Sequence, residues 1–310
     1  MSHTAHPVED NIGPISLLIA GIDEILSRQL DTILHHPRFQ HIEACWRGLY
    51  MLVQDAPKNR RTKISVLNIG WSEIVRDMER SLEFDQSVLF WKLHTTEFDM
   101  PGGEPFGAII CNYSISHKNA SDIRTLRSVA AVAEAAFCTL IFPADARLFG
   151  MDSFADLHPS IAPQKLFRED EYRLWQLLRQ DTASRFIAFA MPGVLLRKPW
   201  GIAGVRRGGF PYQEQCSRQQ DFLWGHAGFV LARILLREFE DVGWFAHIRG
   251  APRDTLAGGI VTDVLPVIQV DTTDNLVSVL PAAEIAISDT LERDLSECGL
   301  ISLTQCWQTP

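Results

Sequence analysis

The sequence lacks paired cysteines. Its 6 cysteines lie singly at positions 45, 111, 138, 216, 298 and 306, and the Cys-x-x-Cys motif of redox and zinc sites does not occur. Disulfide frameworks belong mainly to small secreted domains, whereas this chain has 310 residues. The cysteine pattern favours a chain without disulfides in a reducing compartment, and we therefore expect a cytoplasmic protein.

The sequence also lacks long apolar runs and an excess of positive charge. No apolar run approaches the roughly 20 residues that a helix needs to cross a bilayer. The first residues, Met1–His6, lack the basic and then apolar pattern of a signal peptide. The 29 Lys and Arg residues against 38 Asp and Glu residues give a net charge of −9, which argues against binding to nucleic acid. We therefore expect neither a membrane nor a nucleic acid among the partners.

Motifs of catalysis and nucleotide binding are missing as well. Neither a Gly-x-Ser-x-Gly nucleophile elbow nor a Gly-x-x-x-x-Gly-Lys-Ser/Thr loop occurs. The turn at Gly102 and Gly103 precedes a predicted strand, whereas phosphate-binding loops follow a strand and open a helix. The acidic run Glu169–Glu171 lies at a helix start, where negative charge is favourable anyway. The sequence thus predicts no enzyme activity, no cofactor and no metal.

One short segment does hold several groups that could bind a metal, namely His35, His36, His41 and Glu43. A metal-dependent hydrolase using His36, His41 and Glu43 is the less favoured alternative. These residues do not have the His-Glu-x-x-His spacing that places two imidazoles on one helix face. We interpret the segment as the start of a packed helix, because a proline such as Pro37 suits the first helical turn.

This segment opens the second of two consecutive amphipathic helices. Apolar residues recur at spacings of three and four over 37–53, which predicts one buried helix face; they are Ile42, Cys45, Trp46, Leu49, Leu52 and Val53. Glu43 and Arg47 are four residues apart, in the favourable order for a helical ion pair. A first helix is predicted over 15–34, and the break before Pro37 indicates an αα-hairpin.

Helical and extended patterns alternate over most of the chain. Helices are predicted near 72–82, 88–98, 121–136, 169–180, 222–239 and 289–298, and strands near 63–69, 108–113, 137–142, 186–190, 266–270, 276–280, 283–288 and 300–304. Such alternation favours an α/β fold in which helices pack on a mixed β-sheet. Residues 1–14 are polar and are predicted to form a flexible tail, whereas 15–310 are predicted to form one α/β domain.

A Gly- and Pro-rich loop over 192–212 carries the candidate partner-contact residues. Its basic side chains are Arg197, Lys198, Arg206 and Arg207, which stand out on an acidic chain. They predict a contact surface for a partner, and a solvated loop without a partner is the alternative. Downstream, His226 is a lone histidine in an apolar helical segment and is interpreted as a core residue rather than a ligand.

Several short blocks of the sequence occur in an order typical of one known family. They are Ile33–Pro37, Glu43–Leu49, Val66–Asn68, Gly102–Gly107, Asn112–Tyr113, Phe149–Phe154, Ser184–Phe186, Leu195–Gly201, Leu223–Gly225, Glu284–Asp289 and Cys298–Leu303. Each block is a weak signal alone, but together they cover nearly the whole chain. In these blocks the chain resembles the large subunit of the type VI secretion contractile sheath. The residues expected to be structural landmarks are Pro37, Glu43, Trp46, Arg47, Gly102, Gly103 and Trp224.

The resemblance implies a non-enzymatic assembly protein of the cytoplasm. In that family the large subunit pairs with a small sheath subunit, and the pairs stack into a tube that contracts and propels an inner tube. The implied partners are the small sheath subunit, other copies of this chain or of a full-length large subunit, and inner-tube or baseplate components. Contraction then draws its work from rearranged interfaces rather than from bond chemistry. A regulatory or adaptor protein of the same apparatus that does not polymerise is the alternative.

The sequence departs from the family pattern at both ends and at one internal site. Family members carry a longer N-terminal arm and continue well beyond the segment that ends near Thr304. Those ends supply strands that interlock neighbouring subunits by strand addition. We therefore expect a truncated paralogue, a terminal component or a subunit that another chain completes. Inside the chain, Gly193 follows Pro192 where the family pattern has an arginine.

Overall fold

The computed structural model describes residues 12–56, 62–154, 161–201, 210–250, 258–261, 264, 267–270, 277–280 and 282–304. Its α-helices are α1 (Ile12–Leu34), α2 (Pro37–Asp55), α3 (Trp71–Arg80), α4 (Val88–Phe90), α5 (Ala120–Ala135), α6 (Pro163–Leu166), α7 (Arg173–Gln180), α8 (Ala227–Val242) and α9 (Asp289–Glu297), and α4 continues as a π-helix over Trp91–Asp99. Its strands are β1 (Ala108–Ile110), β2 (Thr139–Pro143), β3 (Ile187–Met191), β4 (Val194–Leu195), β5 (Trp224–Gly225), β6 (Val267–Val270), β7 (Val277–Leu280) and β8 (Leu300–Ser302).

A parallel sheet of four strands forms the centre of the fold, in the order β1–β2–β3–β8. Two antiparallel pairs, β4 with β5 and β6 with β7, lie outside this sheet. The α/β class predicted from the alternating pattern is confirmed. Parallel and antiparallel strands are both present, but they belong to separate sheets.

The two faces of the central sheet bury different sets of side chains, because successive strand residues point to opposite faces. Leu140, Phe142 and Phe189 belong to the large core cluster that α5, α7 and α9 complete. Ile141 and Ala190 lie on the other face and pack against α8. The second face is built from smaller side chains, which allows α8 to approach the sheet closely.

Helix α2 packs on the outer side of α8. Leu52 of α2 shares a buried cluster with Phe229 and Ala232 of α8. Gly48 provides the space for this contact, because a Cβ atom at this position would lie 2.4 Å from Cδ2 of the Phe229 ring. The α2 position is therefore set by a close helix–helix contact that depends on one glycine.

The predicted single apolar face of α2 is wrong, because its residues divide between two faces. Leu52 is buried against α8, and Leu49 is partly buried. Ile42, Trp46 and Val53 point outward and are 56%, 67% and 55% exposed. Spacings of three and four fit both faces, so the sequence pattern alone merges them into one.

Helix α1 is confirmed, with two corrections to its surroundings. It begins at Ile12, inside the segment predicted as a tail, because Pro14 is compatible with a first helical turn; residues 1–11 lie outside the described residues. An αα-hairpin is not formed, because the apolar stripe of α1 remains uncovered by α2, with Leu18 68% and Ile22 56% exposed. Among the helices that the structure describes, none has the length and apolar character to span a bilayer.

The predicted strand over 63–69 is wrong. This segment has no regular secondary structure, and Val66 and Leu67 are both at least half exposed although they are adjacent in sequence. A strand needs a neighbouring backbone to complete its hydrogen bonds, and within the described ranges no other segment pairs with 63–69. Alternation along the sequence predicts a strand, but it cannot supply the neighbouring backbone that a strand needs.

Two boundaries near the C-terminal half also differ from the prediction. The predicted strand over 283–288 is reduced to one isolated bridge between Val194 and Ala283. Helix α8 begins at Ala227 rather than near 222, because Trp224 and Gly225 pair with β4 as strand β5. The other strands predicted in the described ranges lie within a few residues of their expected positions.

The close α2–α8 contact gives a stability prediction. In Gly48→Ala the new methyl group would overlap the Phe229 ring, so we expect the free energy of unfolding to fall by about 1–3 kcal/mol. Gly21→Ala is the matched control, because Gly21 lies in helix α1 with no neighbouring atom within 4 Å of a built Cβ. That variant should be neutral or gain up to ~1 kcal/mol from helix propensity. Urea unfolding followed by far-ultraviolet circular dichroism measures both, and equal stabilities would contradict the packing argument.

Candidate functional site

A network of buried charges joins α2 to the loop that follows β4. Arg197 lies at its centre, and only 8% of its side chain is exposed. Its Nε contacts Glu43 Oε1 at 2.8 Å, and its Nη1 and Nη2 contact Glu214 Oε2 and Oε1 at 2.5 and 3.1 Å. Charges inside a protein are stable only when they are paired and hydrogen bonded. The network therefore fixes the loop against α2.

Both carboxylates of this network accept further hydrogen bonds. Glu43 Oε1 also accepts from Arg47 Nε at 2.7 Å, which confirms the helical ion pair predicted from their spacing. Glu214, whose side chain is 1% exposed, accepts from the Trp200 backbone N–H at 2.9 Å and lies 3.2 Å from His35 Nε2. The network thus includes the break between α1 and α2.

The pKa shifts keep the network ionised. Burial alone would raise the pKa of the Glu214 carboxyl, but hydrogen bonds from Arg197 and from the Trp200 backbone hold this pKa below its usual value. Burial would likewise lower the pKa of the Arg197 guanidinium, yet its bonds to Glu214 and Glu43 raise it. The Glu214 carboxylate therefore stays charged, and its oxygens stay hydrogen bonded within the chain. This suits a structural ion pair better than proton transfer.

Trp200 covers the charged groups on one side. The guanidinium carbons of Arg197 and Arg47 lie 5.5 and 5.9 Å from the centre of its ring, within the range of cation–π attraction. The next residue, Gly201, has φ +88, and a Cβ there would lie 2.5 Å from the Tyr212 carbonyl oxygen. Only glycine allows the chain to turn at this point.

The predicted contact residues of the basic loop have different surroundings. The Arg197 guanidinium is engaged inside the chain by Glu43 and Glu214, so it is not available to a partner in this conformation. Lys198 is exposed. Arg206 and Arg207 lie outside the described residues. A partner contact through Lys198, Arg206 and Arg207 stays a prediction. The burial of Arg197 could not be predicted from the sequence.

The residues of the alternative metal site are not brought together. His36 caps α2, with its Nδ1 accepting from the Arg38 N–H at 3.3 Å, and His41 is exposed. Glu43 is held by the two arginines, as described above.

A different group, His35, Glu214 and Cys216, places one ligand atom each within 4.8 Å of one another. The two oxygens of Glu214 are already bonded to Arg197, and burial raises the pKa of the Cys216 thiol to about 12. These contacts assign the group to the ion-pair network. No sequence signal indicated it, because Glu214 lies 179 residues from His35.

The remaining landmark residues have structural contacts. Pro37 is the first residue of α2. Gly102 has φ +87, and a Cβ on Gly103 would lie 2.5 Å from the Glu97 carbonyl oxygen, so the turn needs glycine twice. Trp224 lies in β5, and its indole N–H donates to a backbone carbonyl at 2.8 Å. Pro37, Gly102, Gly103 and Trp224 thus shape the chain locally, whereas Trp46 lies on the surface and is 67% exposed.

Fold and site together define an α/β domain that carries two N-terminal helices with exposed apolar side chains, held in place by buried ion pairs. Residues 16–310 match the profile of the tail sheath N-terminal domain of the VipB (EvpB) family. The chain belongs to this family.

One curated relative is the type VI secretion system sheath protein TssC1 of Pseudomonas aeruginosa. The two are 32% identical over 298 residues, which cover 95% of this chain and 59% of the relative. The chain thus spans about three-fifths of the length of the curated relative that it matches.

Removing the central cation of the network should be strongly destabilising. In Arg197→Met, Glu214 and Glu43 lose a buried partner, and we expect a loss of about 3–5 kcal/mol at pH 8. The difference in the free energy of unfolding between the variant and the unmodified chain should become smaller towards pH 5. The unpaired carboxylates can then take up protons in the variant, while the unmodified chain gains nothing from protonation because its Glu214 pKa is lowered.

The matched control is Arg127→Met, which removes a guanidinium that lies 3.2 Å from Asp181 and is 55% exposed. This surface ion pair should contribute less than about 1 kcal/mol. Thermal and urea unfolding at both pH values measure the two variants. Equal losses in the two variants would show that Arg197 does not hold the fold together.

Proposed function

We propose that this chain is a structural subunit of a type VI contractile sheath and acts without catalytic chemistry. It pairs with a small sheath subunit in the cytoplasm, and the pairs assemble with further copies around an inner tube. Its family membership and the sheath protein among its relatives support this proposal. One structural observation carries it further, namely an uncovered apolar surface on α1 and α2.

This surface, called here the outer helical face, consists of Ile15, Leu18, Ile19, Ile22, Ile25, Leu26 and Ile33 on α1 and Phe39, Ile42, Trp46, Tyr50 and Val53 on α2; each is between 39% and 68% exposed. The residues recur at spacings of three and four along each helix. Large exposed apolar patches are uncommon on monomeric proteins and mark surfaces that partners cover.

The position of this face depends on the ion-pair network. Glu43 and Arg47 lie on the same helix as Ile42 and Trp46. Glu43 accepts a hydrogen bond from Arg197 and Arg47 lies near the Trp200 ring, so both contacts hold that helix against the loop. Tyr212 donates to Asp31 on α1 at 2.7 Å and anchors the end of that helix. Long apolar stripes on two anchored helices fit an amphipathic helical partner, which would bind them in the helix-to-groove mode.

Co-expression with a small sheath subunit tests the proposal. The unmodified chain should co-purify with that subunit, and Ile42→Asp combined with Trp46→Asp should reduce recovery of the pair at least tenfold, because two charges would be placed in an apolar interface. Leu82→Asp is the matched control, because Leu82 is 90% exposed and lies outside the outer helical face. That variant should pair normally.

Electron microscopy of the purified pair separates the two functions under consideration. Tubes or tube fragments would support the sheath role. A discrete pair that forms no tubes would favour the regulatory or adaptor alternative. Failure of the unmodified chain to bind a small sheath subunit at all would contradict the sheath role.

A further inference from the structure

A cavity of about 380 Å³ lies at the carboxyl ends of the strands of the central sheet. Asn112 follows β1 and Asp145 follows β2, while His41 of α2, Trp224 of β5 and Glu284 close the sides. In parallel α/β sheets this edge is the usual place for ligand sites. The polar side chains of this cavity do not belong to the ion-pair network described above.

Glu284 is the distinctive group of this cavity. Its backbone N–H donates to the Gly193 carbonyl at 2.8 Å, and a Cβ on Gly193 would lie 2.9 Å from Glu284 Oε2. The glycine therefore leaves room for the carboxylate beside the chain. Burial raises the pKa of Glu284 to about 7, a hydrogen bond from Gly193 opposes the shift, and the Asp145 charge adds to it. Within the described ranges, no arginine or lysine pairs with this carboxylate.

Asp145 provides a second carboxylate at the same edge. Its Oδ1 accepts from the Arg147 N–H at 3.1 Å, so it caps the short 3-10 turn Ala146–Phe149. Burial raises its pKa as well, although hydrogen bonds from Ser114 and from the turn work against this rise. Two carboxyl groups that are each hard to ionise thus face one cavity, which makes added positive charge favourable there.

Among the other charged groups around the cavity, the cation Arg147 lowers the pKa of Asp145, but the acids Glu284, Asp145 and Asp152 outnumber it. Arg147, His41 and Asp152 are exposed at its rim. His226 is buried as predicted, with Nδ1 accepting from the Gly228 N–H at 2.7 Å and Nε2 3.3 Å from the Ile141 carbonyl. Burial lowers the pKa of His226 to about 4, so this ring is neutral and supplies no positive charge.

Aromatic rings complete the lining. Trp224 and Phe222 both border the cavity, with ring centres 6.2 Å apart. Carboxylates beside aromatic faces form the surroundings that guanidinium and ammonium groups prefer, through charge-assisted hydrogen bonds and cation–π contacts.

We infer that this cavity binds a guanidinium or alkylammonium group, with Glu284 and Asp145 as the charge partners, and that an arginine or lysine side chain of an adjoining polypeptide supplies it. The prediction that a cation binds depends only on the cavity and its carboxylates. The prediction that another chain supplies the cation rests on the proposed function, since only an assembly places another chain against this edge.

The recognition step is tested with butylguanidinium on the full 310-residue chain, and butanol serves as the neutral control. Saturation-transfer NMR should detect butylguanidinium and not butanol. Glu284→Gln should weaken binding at least tenfold, and Asp145→Asn should weaken it too. Glu83→Gln removes the same charge from an exposed residue that does not line the cavity and should bind normally. Thermal melts verify that each variant is folded.

The pH dependence provides an independent readout. Binding requires the ionised carboxylate, so affinity should rise about tenfold from pH 6 to pH 8 as a group with a pKa of about 7 loses its proton. The rise should disappear in Glu284→Gln. No binding by the unmodified chain at millimolar probe, or unchanged binding by Glu284→Gln, overturns the inference.

The source of the cation is tested with the assembled protein. If an adjoining chain fills the cavity, butylguanidinium should bind the isolated chain and be excluded from the complex with the small sheath subunit or from tubes. Equal binding to both would show that no partner side chain enters. Failure to form any assembly would count against the proposed function alone, because the binding results on the isolated chain would stand.

Discussion

The paired burial of Arg197 with Glu43 and Glu214 is the interaction on which the N-terminal part of the structure depends. The three side chains come from α2, from the loop after β4 and from the segment before β5, and among the described residues no apolar cluster joins all three places. The ion pairs fix the relative orientation of these segments, which apolar contact alone does not, because the guanidinium fits its carboxylates in few orientations. Trp200 excludes water from one side of the network and strengthens each of these attractions.

This arrangement explains how α2 can have one apolar face turned inward and another turned outward. Gly48 and Leu52 bring the inner face onto α8, while Glu43 and Arg47 tie the same helix to the loop. The outer helical face takes no part in either contact. A helix held only by apolar packing would turn its most apolar side inward, whereas ion pairs allow that side to remain outside. The chain thus keeps an apolar surface exposed at a fixed place.

Glu214 and Glu284 show how the surroundings of a buried carboxylate determine its role. Glu214 has a buried arginine and a backbone donor, and its pKa is lowered. Glu284 has a backbone donor and a nearby acid, and burial raises its pKa. The first carboxylate is satisfied within the fold and serves as a structural tie. The second borders a cavity and is favourable for an added cation, which is why the two glutamates belong to different functions.

Sequence patterns located most elements because their signals are local. The buried strands β2 and β3 follow from short apolar runs, and α5 follows from its spacing of apolar residues. The strand predicted over 63–69 failed because a strand is defined by a neighbouring backbone, which periodicity cannot provide. The ion pair between Glu43 and Arg47 was predictable from a spacing of four, and the ordered blocks indicated the sheath family.

By itself, then, the sequence determined the α/β class, the family and the ion pair within α2, because each depends on nearby residues or on ordered local motifs. Only the tertiary structure decided that Arg197 is buried, that Trp46 faces outward and that Glu284 and Asp145 share a cavity. These facts join residues that are far apart in the chain, such as Glu43 and Arg197, which are separated by 154 positions. Spacing along a sequence carries no information about such contacts, since they exist only once separate elements have packed.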